Sequence, residues 1–271
     1  MRLLLLAALL ITALAASAAA AEHGQVFDLG DKAPVSGNKL WRDLLGQLFP
    51  DLRQEPWKDG RTADFMHGKI DIRAIAKQSF EDDCPDKPLR IEYLDYAAVQ
   101  IDNKSRLIVG ITTDLDACFG ALALFSGEGD ASLLDAVNIQ QDANYVFGDN
   151  FVRSLGSHAQ LVVADSFHTT TSSSPDNYVL VLATADKLSL IGNVDRQSEW
   201  DCDHHRSIAE EPYVAIAPDY GAYDRITGYI KRIVQPLGQD CRAHSGDPKI
   251  TITRTDWRWD AAKKAYRRAS P

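Results

Sequence analysis

From about residue 63 the apolar positions recur as short β-type runs broken by turn residues, and helical spacing is confined to one segment upstream. That segment is 39–49, where Leu40, Trp41, Leu44, Leu45 and Leu48 fall on one face, Asn38 stands at the N-cap and Pro50 ends the run. It predicts a short helix packed on a sheet. Residues 22–38, polar and carrying Gly24, Gly30, Pro34 and Gly37, predict an extended lead-in. Strands are expected at 90–101, 106–112, 119–125, 133–139, 161–167, 178–183, 188–194 and 250–259, with turns at 102–105, 127–130, 186–187 and 260–263. Residues 223–234 carry both a helical spacing of Ile226, Ile230 and Ile233 and the Ile, Thr, Tyr and Val content of a strand, and the strand is the reading adopted.

One stretch recurs. Ser132 to Asn138, SLLDAVN, resembles SLIGNVD 57 residues later, and each copy follows an apolar strand and a polar turn. A hairpin used twice implies sequential antiparallel meanders, in the manner of propeller blades or of a β-sandwich. Strand–turn–strand units also look alike by chance in any antiparallel protein. The expected fold is therefore mainly β, antiparallel meander sheets that are propeller-like or sandwich-like, with a short N-terminal helix. Residues 22–62 would be lead-in and helix, and 63–271 one β domain. Long βαβ alternation is absent from the pattern, which argues against a doubly wound nucleotide-binding fold.

The chain opens with Arg2, an apolar run from Leu3 to Leu14 and small residues from Ala15 to Ala21. This is the layout of a secretory signal cleaved near Ala21, the run being short for a membrane span. An uncleaved anchor is the competing reading. The mature chain would be periplasmic or secreted, without an integral membrane segment. Its four cysteines, Cys84, Cys118, Cys202 and Cys241, then suggest disulfides. Three connectivities exist, and Cys84–Cys118 with Cys202–Cys241 is favoured because each closes one local stretch. A zinc site lacks the paired spacing it needs.

Composition changes the picture in one respect. With 29 basic against 38 acidic residues the formal charge is −9, so no nucleic-acid partner is expected. A local basic group at Lys263, Lys264, Arg267 and Arg268 reads as a solvated strand end.

Three constellations bear chemistry. Glu199 to His205, EWDCDHH, gathers three carboxylates and two imidazoles, a donor set suited to a transition metal ion. If extended, it would project Asp201, Asp203 and His205 to one side. Asp201, Asp203, His204, His205 and His168 are the candidate ligands, with His158 a further source; the bland alternative is a polar loop held by Cys202. Asp165-Ser166-Phe167-His168 brings together the residue types of a nucleophilic triad, but no GxSxG elbow or oxyanion donor accompanies them. Trp257 and Trp259, two apart on a strand, with Tyr266 returning beside them, form a candidate ligand-stacking group if exposed and a core group if buried. The acidic pairs near Cys84 and Cys118 do not fit a calcium loop. The reading that survives is an exported, non-enzymatic β module that binds a ligand or partner, an envelope protein or a glycan. The alternative is a metal-dependent hydrolase or metal carrier built on Glu199–His205.

Overall fold

The computed structural model describes residues 21–49, 52–56, 63–66, 90–113, 120–139, 144–148, 150–167, 173–219 and 223–269. Strands dominate. In chain order they are β1 (Glu22–Gln25), β2 (Arg53–Pro56), β3 (Ala63–Met66), β4 (Arg90–Ile101), β5 (Lys104–Thr113), β6 (Gly120–Ser126), β7 (Leu133–Asn138) and β8 (Asn144–Val146). They continue as β9 (Val152–Ser154), β10 (Gln160–Phe167), β11 (Ser173–Ala183), β12 (Leu188–Asp201), β13 (Arg206–Ala217), β14 (Arg225–Pro236), β15 (Lys249–Asp260) and β16 (Ala265–Arg268). Among the described residues they form two antiparallel sheets. One runs β2-β3-β4-β5-β6-β7 with β1 on β4, and the other runs β16 back to β10 and β8 with β9 on β10. The architecture is sandwich-like and not a closed barrel.

Four layers share three cores. Val26, Leu29, Trp41, Leu44, Leu45 and Phe49 cover one face of the first sheet. Ala97, Val99, Ile108, Leu122 and Leu124 on its other face meet Val162, Ala164, Val179 and Val181 of the second sheet. Leu161, Val163, Leu180 and Leu182, on the opposite side of β10 and β11, pack against Val214, Ile226, Trp257 and Tyr266. Residues 161–164 of β10 and 179–182 of β11 are thus buried on both faces, which is why LVVA and VLVL run apolar without alternation. Polar ties close the inter-sheet core at its margins. Buried Arg106 donates to the carbonyl of Ala185, Asp135 accepts from the Leu188 N–H at 2.8 Å, and the Asp102 N–H donates to Ser157 O at 2.9 Å beside an Asp102–His158 side-chain hydrogen bond.

The second sheet doubles back through β12. Its last residues, Ser198–Asp201, pair with β13 at Arg206–Ala209, and from Gln197 upward the strands part. The Gln197 N–H, at the point of parting, donates instead to Glu210 Oε2 at 2.9 Å. Trp257 fills the resulting wedge against two glycines. A methyl at Gly228 would stand 2.8 Å from Val194 and 3.0 Å from the indole, and the Gly192 position faces the indole nitrogen at 3.2 Å.

The segment 22–62 also contributes β1 and β2 to the first sheet. The helix α1 is Trp41–Leu45, shorter than the expected 39–49, and Asn38 does not cap it. Leu40 is the N-cap residue, and its N–H is held by Asp43 Oδ2 at 3.1 Å. The apolar spacing out to Leu48 and Phe49 reflects burial on the sheet, since both are buried beyond the helix end. The two similar heptapeptides fall on the second strands of two hairpins, β6–β7 and β11–β12. In β6–β7 the register skips Leu134, and in β11–β12 it skips Ile191, the equivalent position of the two copies. A bulge at the same place makes the likeness structural as well as sequential. The proposed signal at 1–21 lies outside the described residues except for Ala21, as do Cys84 and Cys118 with their favoured pairing.

Asp95 faces the inter-sheet core with Ala97 and Val99, opposite Gln25 on β1 and Gly110 on β5. Phe147 occupies the space beside Gly110. Burial pushes the Asp95 carboxyl up to about 6. A carboxyl raised in the fold binds its proton there before it does in the unfolded chain, so its contribution is lost as pH climbs from about 4 to 6. Asp95→Asn is expected to gain up to about 2 kcal/mol at pH 7.5, after allowance for partial exposure, and nothing at pH 4, as read from urea midpoints at both values. Gly228→Ala is expected to lose about 1–3 kcal/mol by overpacking against Trp257 and Val194, measured the same way.

Candidate functional site

The tip of the β12–β13 hairpin is a four-residue turn, Cys202–His205, closed by the pair Asp201–Arg206. The condition for a ligand row at Asp201, Asp203 and His205, an extended segment, is not met: extension stops at Asp201, His205 takes a positive φ of 47° to turn the chain, and the segment is the polar loop held by Cys202. The turn is organised around the Asp201 carboxylate. It accepts from the His204 N–H at 3.1 Å, lies 2.9 Å from His204 Nδ1 and accepts from Arg206 Nε at 2.9 Å. The His204 ring, then its main-chain N–H, and Arg206 hold this carboxyl below the ordinary carboxylate range against the opposing effect of burial. Its contribution is complete at neutral pH and fades as pH falls through that range. Asp203, His204 and His205 are exposed, and no group of three or more metal-ligating side chains forms among the described residues.

Cys202 is bridged to Cys241, with Cα atoms 5.5 Å apart, and this pins the turn to the loop after β14. The Leu237 N–H donates to His205 O at 2.7 Å on the same seam. The pinned loop in turn fixes Trp200. Its indole N–H donates to Cys241 O at 2.8 Å, its ring lies 5.3 Å from that of His244, and His244 Nε2 is 3.1 Å from Ser207 Oγ. Trp200 is nonetheless 45% exposed. It is a large aromatic held in place with a face open to solvent, the kind of group that anchors a partner at low entropic cost.

Register extends this face across the sheet. Directly paired residues share a side, so Trp200, Ser207 and Gln235 form one row. Ala209, Ile233 and Ile250 form the next, then Glu211, Lys231 and Ile252, then Tyr213, Tyr229 and Arg254. This is the side opposite Val214, Ile226 and Trp257. Tyr213 is 63% exposed, and Ile250 and Ile252 are 53% and 68% exposed. The charges among them are matched on the face itself. Lys231 pairs with Glu211 at 2.8 Å, and Arg254 grips Asp256 through two bonds of 2.9 and 2.7 Å. What remains open is aromatic and aliphatic.

The tryptophan pair realises the core alternative. Trp257 is 4% exposed, Trp259 packs half-buried against Tyr223 and Tyr266, and buried Tyr266 donates its hydroxyl to Asp224 O. Their ring faces are taken up by neighbours. His158 is engaged with Asp102 on the margin of the inter-sheet core. His168 lies outside the described residues, and Asp165, the acid of the candidate triad, sits 3.7 Å from Arg196. Sequence reading missed Trp200, Tyr213, Tyr229 and the exposure of Ile250 and Ile252. The alternation of 250–259 was visible; which parity faced water depended on Trp257 finding its glycines.

Compared with protein-family models, curated proteins and solved structures, the chain finds no match.

Removing the bridge tests the pinned tip. Cys202→Ser with Cys241→Ser is expected to cost about 2–4 kcal/mol in urea unfolding and to make Trp200 more accessible to acrylamide. An unchanged midpoint together with unchanged quenching would show that the hydrogen bonds alone hold the turn.

Proposed function

We propose that the protein is an exported, non-enzymatic binding module, periplasmic or secreted after cleavage near Ala21, that holds a protein partner of the envelope or extracellular space on the outer face of β13–β15. The observation that carries this reading is the combination of immobilised Trp200 with Tyr213, Tyr229, Ile250 and Ile252 on one open face where Lys231 is paired with Glu211 and Arg254 with Asp256. At ordinary strand rise and spacing the face spans roughly 20 Å by 15 Å. Such a surface suits apolar side chains with few charges to desolvate. A glycan would call for free polar groups around the aromatics, and the ionic groups among them, Glu211, Lys231 and Arg254, are already partnered. The Cys202–Cys241 bridge is compatible with an oxidising compartment.

The metal-dependent alternative draws less support, because the Asp201 carboxylate is already engaged by His204 and Arg206. One experiment separates the two. A photo-crosslinking amino acid is placed at Tyr213 in the native host and, as control, at exposed Lys187 on the β11–β12 turn. The expected result is one dominant adduct specific to position 213, lost when Trp200→Ala is added. Identical adduct profiles at both positions would defeat the binding reading. Elemental mass spectrometry of the untagged protein completes the test: one equivalent of a transition metal, lost in Asp201→Ala, would favour the alternative.

A further inference from the structure

The free edge of the second sheet lies beside this face. β16 pairs with β15 only from Trp257 to Asp260, and the Ala269 N–H reaches Asp256 O at 2.8 Å. From Lys249 to Thr255 the side of β15 away from β14 has no strand upon it among the described residues, and Lys249–Arg254 are all exposed. The sequence there, KITITRT, has high β propensity and no proline or glycine. Folded proteins protect such edges with outward charge, bulges or a covering segment. Of the two charges in the run, Arg254 is bound bidentately by Asp256, which leaves Lys249, with Pro248 before it, as the guard at one end.

We infer that this edge pairs with the same edge of a second copy of the chain, antiparallel about a two-fold axis through Thr251. The segment is self-complementary in that register. Ile250 stands opposite Ile252 of the second copy, and Ile252 opposite its Ile250, on the open face; Lys249 stands opposite Thr253 on the other. Centring the axis on Ile252 instead would set Ile250 against Arg254. A one-sided slip would exchange the two faces, since the side-chain period is two. Charge points the same way. The chain carries a formal charge of −9, so two copies repel in general, yet Pro248–Thr255 contains no carboxylate. Because the axis is perpendicular to the sheet, the rows from Trp200 to Ile250 continue into the second copy on the same side. The dimer presents one platform of about twice the single-chain span, with a pinned tryptophan at each end.

The interface is small, so the dimer is expected to be weak, forming at on the order of 100 μM and dissociating on dilution to about 1 μM. Sedimentation velocity of the intact oxidised protein across that range reads the equilibrium. Ile250→Lys with Ile252→Lys, both on solvent-exposed positions, is expected to remain monomeric throughout while keeping the parent's circular dichroism and thermal midpoint. Thr251→Cys is expected to give a 251–251 disulfide dimer, identified by peptide mass mapping, because directly opposed Cβ atoms stand about 5 Å apart. Thr253→Cys, displaced two residues from the axis, is expected to give none. A parent that stays monomeric at the highest concentration, or equal crosslinking at 251 and 253, would overturn the inference. A monomer that still yields the Tyr213-specific adduct would do so while leaving the binding reading intact.

Discussion

The structure depends on two strand segments, 160–164 of β10 and 179–183 of β11, that have no wet side. β10 and β11 bury Val162, Ala164, Val179 and Val181 toward one sheet and Leu161, Val163, Leu180 and Leu182 toward the other. Strands enclosed in this way must satisfy their main-chain groups within the ladder, because water does not reach them. Their neighbours inherit the consequence. The first sheet covers one face, the returned half of the second sheet covers the other, and α1 with its flanking loops covers what the first sheet then exposes. The margins are closed by groups that can each satisfy a stranded partner: Arg106, Asp135, Asp102 and Gln160.

Return of the second sheet requires β12 and β13 to separate, and the separation explains the one long strand that sequence reading passes over, β13. β13 contains Glu210, Glu211 and Pro212, a poor advertisement for a strand within a sheet. In the structure Pro212 lies beyond the last β12–β13 pair, so on that side the strand is an edge and the missing N–H has no ladder to interrupt. Glu210 takes the main-chain N–H that the separation releases. What local pattern cannot display is that a strand can be interior for four residues and an edge for the next eight. The other long strands are legible because their turns are, whereas β1, β2, β3, β8 and β9, three or four residues each, are too short to show a period. Asp102 and Asn103, both at positive φ, join Ile101 to Lys104 in a two-residue loop, the geometry their residue types favour.

Legibility of the candidate site followed the same division. The EWDCDHH segment stood out by composition, and Cys202–Cys241 was chosen on loop length; their neighbourhood was not visible. The role of Asp201 as the organiser of a turn depends on His204 and Arg206 folding back, and the role of Cys241 depends on its carbonyl meeting Trp200. Trp200 lies in the same segment, but its chemistry is not apparent beside so much charge and imidazole, since its role rests on Cys241 forty-one residues away. Tyr213 and Tyr229 are sixteen residues apart and meet, ring centres 6.4 Å apart, only through the register of β13 with β14.

The pairing of β1 has a consequence for how such a chain assembles. Nearly every other strand pairs with its successor, so most of the fold can form as adjacent hairpins in the order of synthesis. β1 instead pairs with β4, Glu22 opposite Ala98. β1 must remain without this partner until some seventy further residues have followed, and its docking closes a longer loop than any other strand pair of the first sheet among the described residues. Beginning and middle of the chain are joined there, so that the N-terminal strand records whether everything between has already found its place.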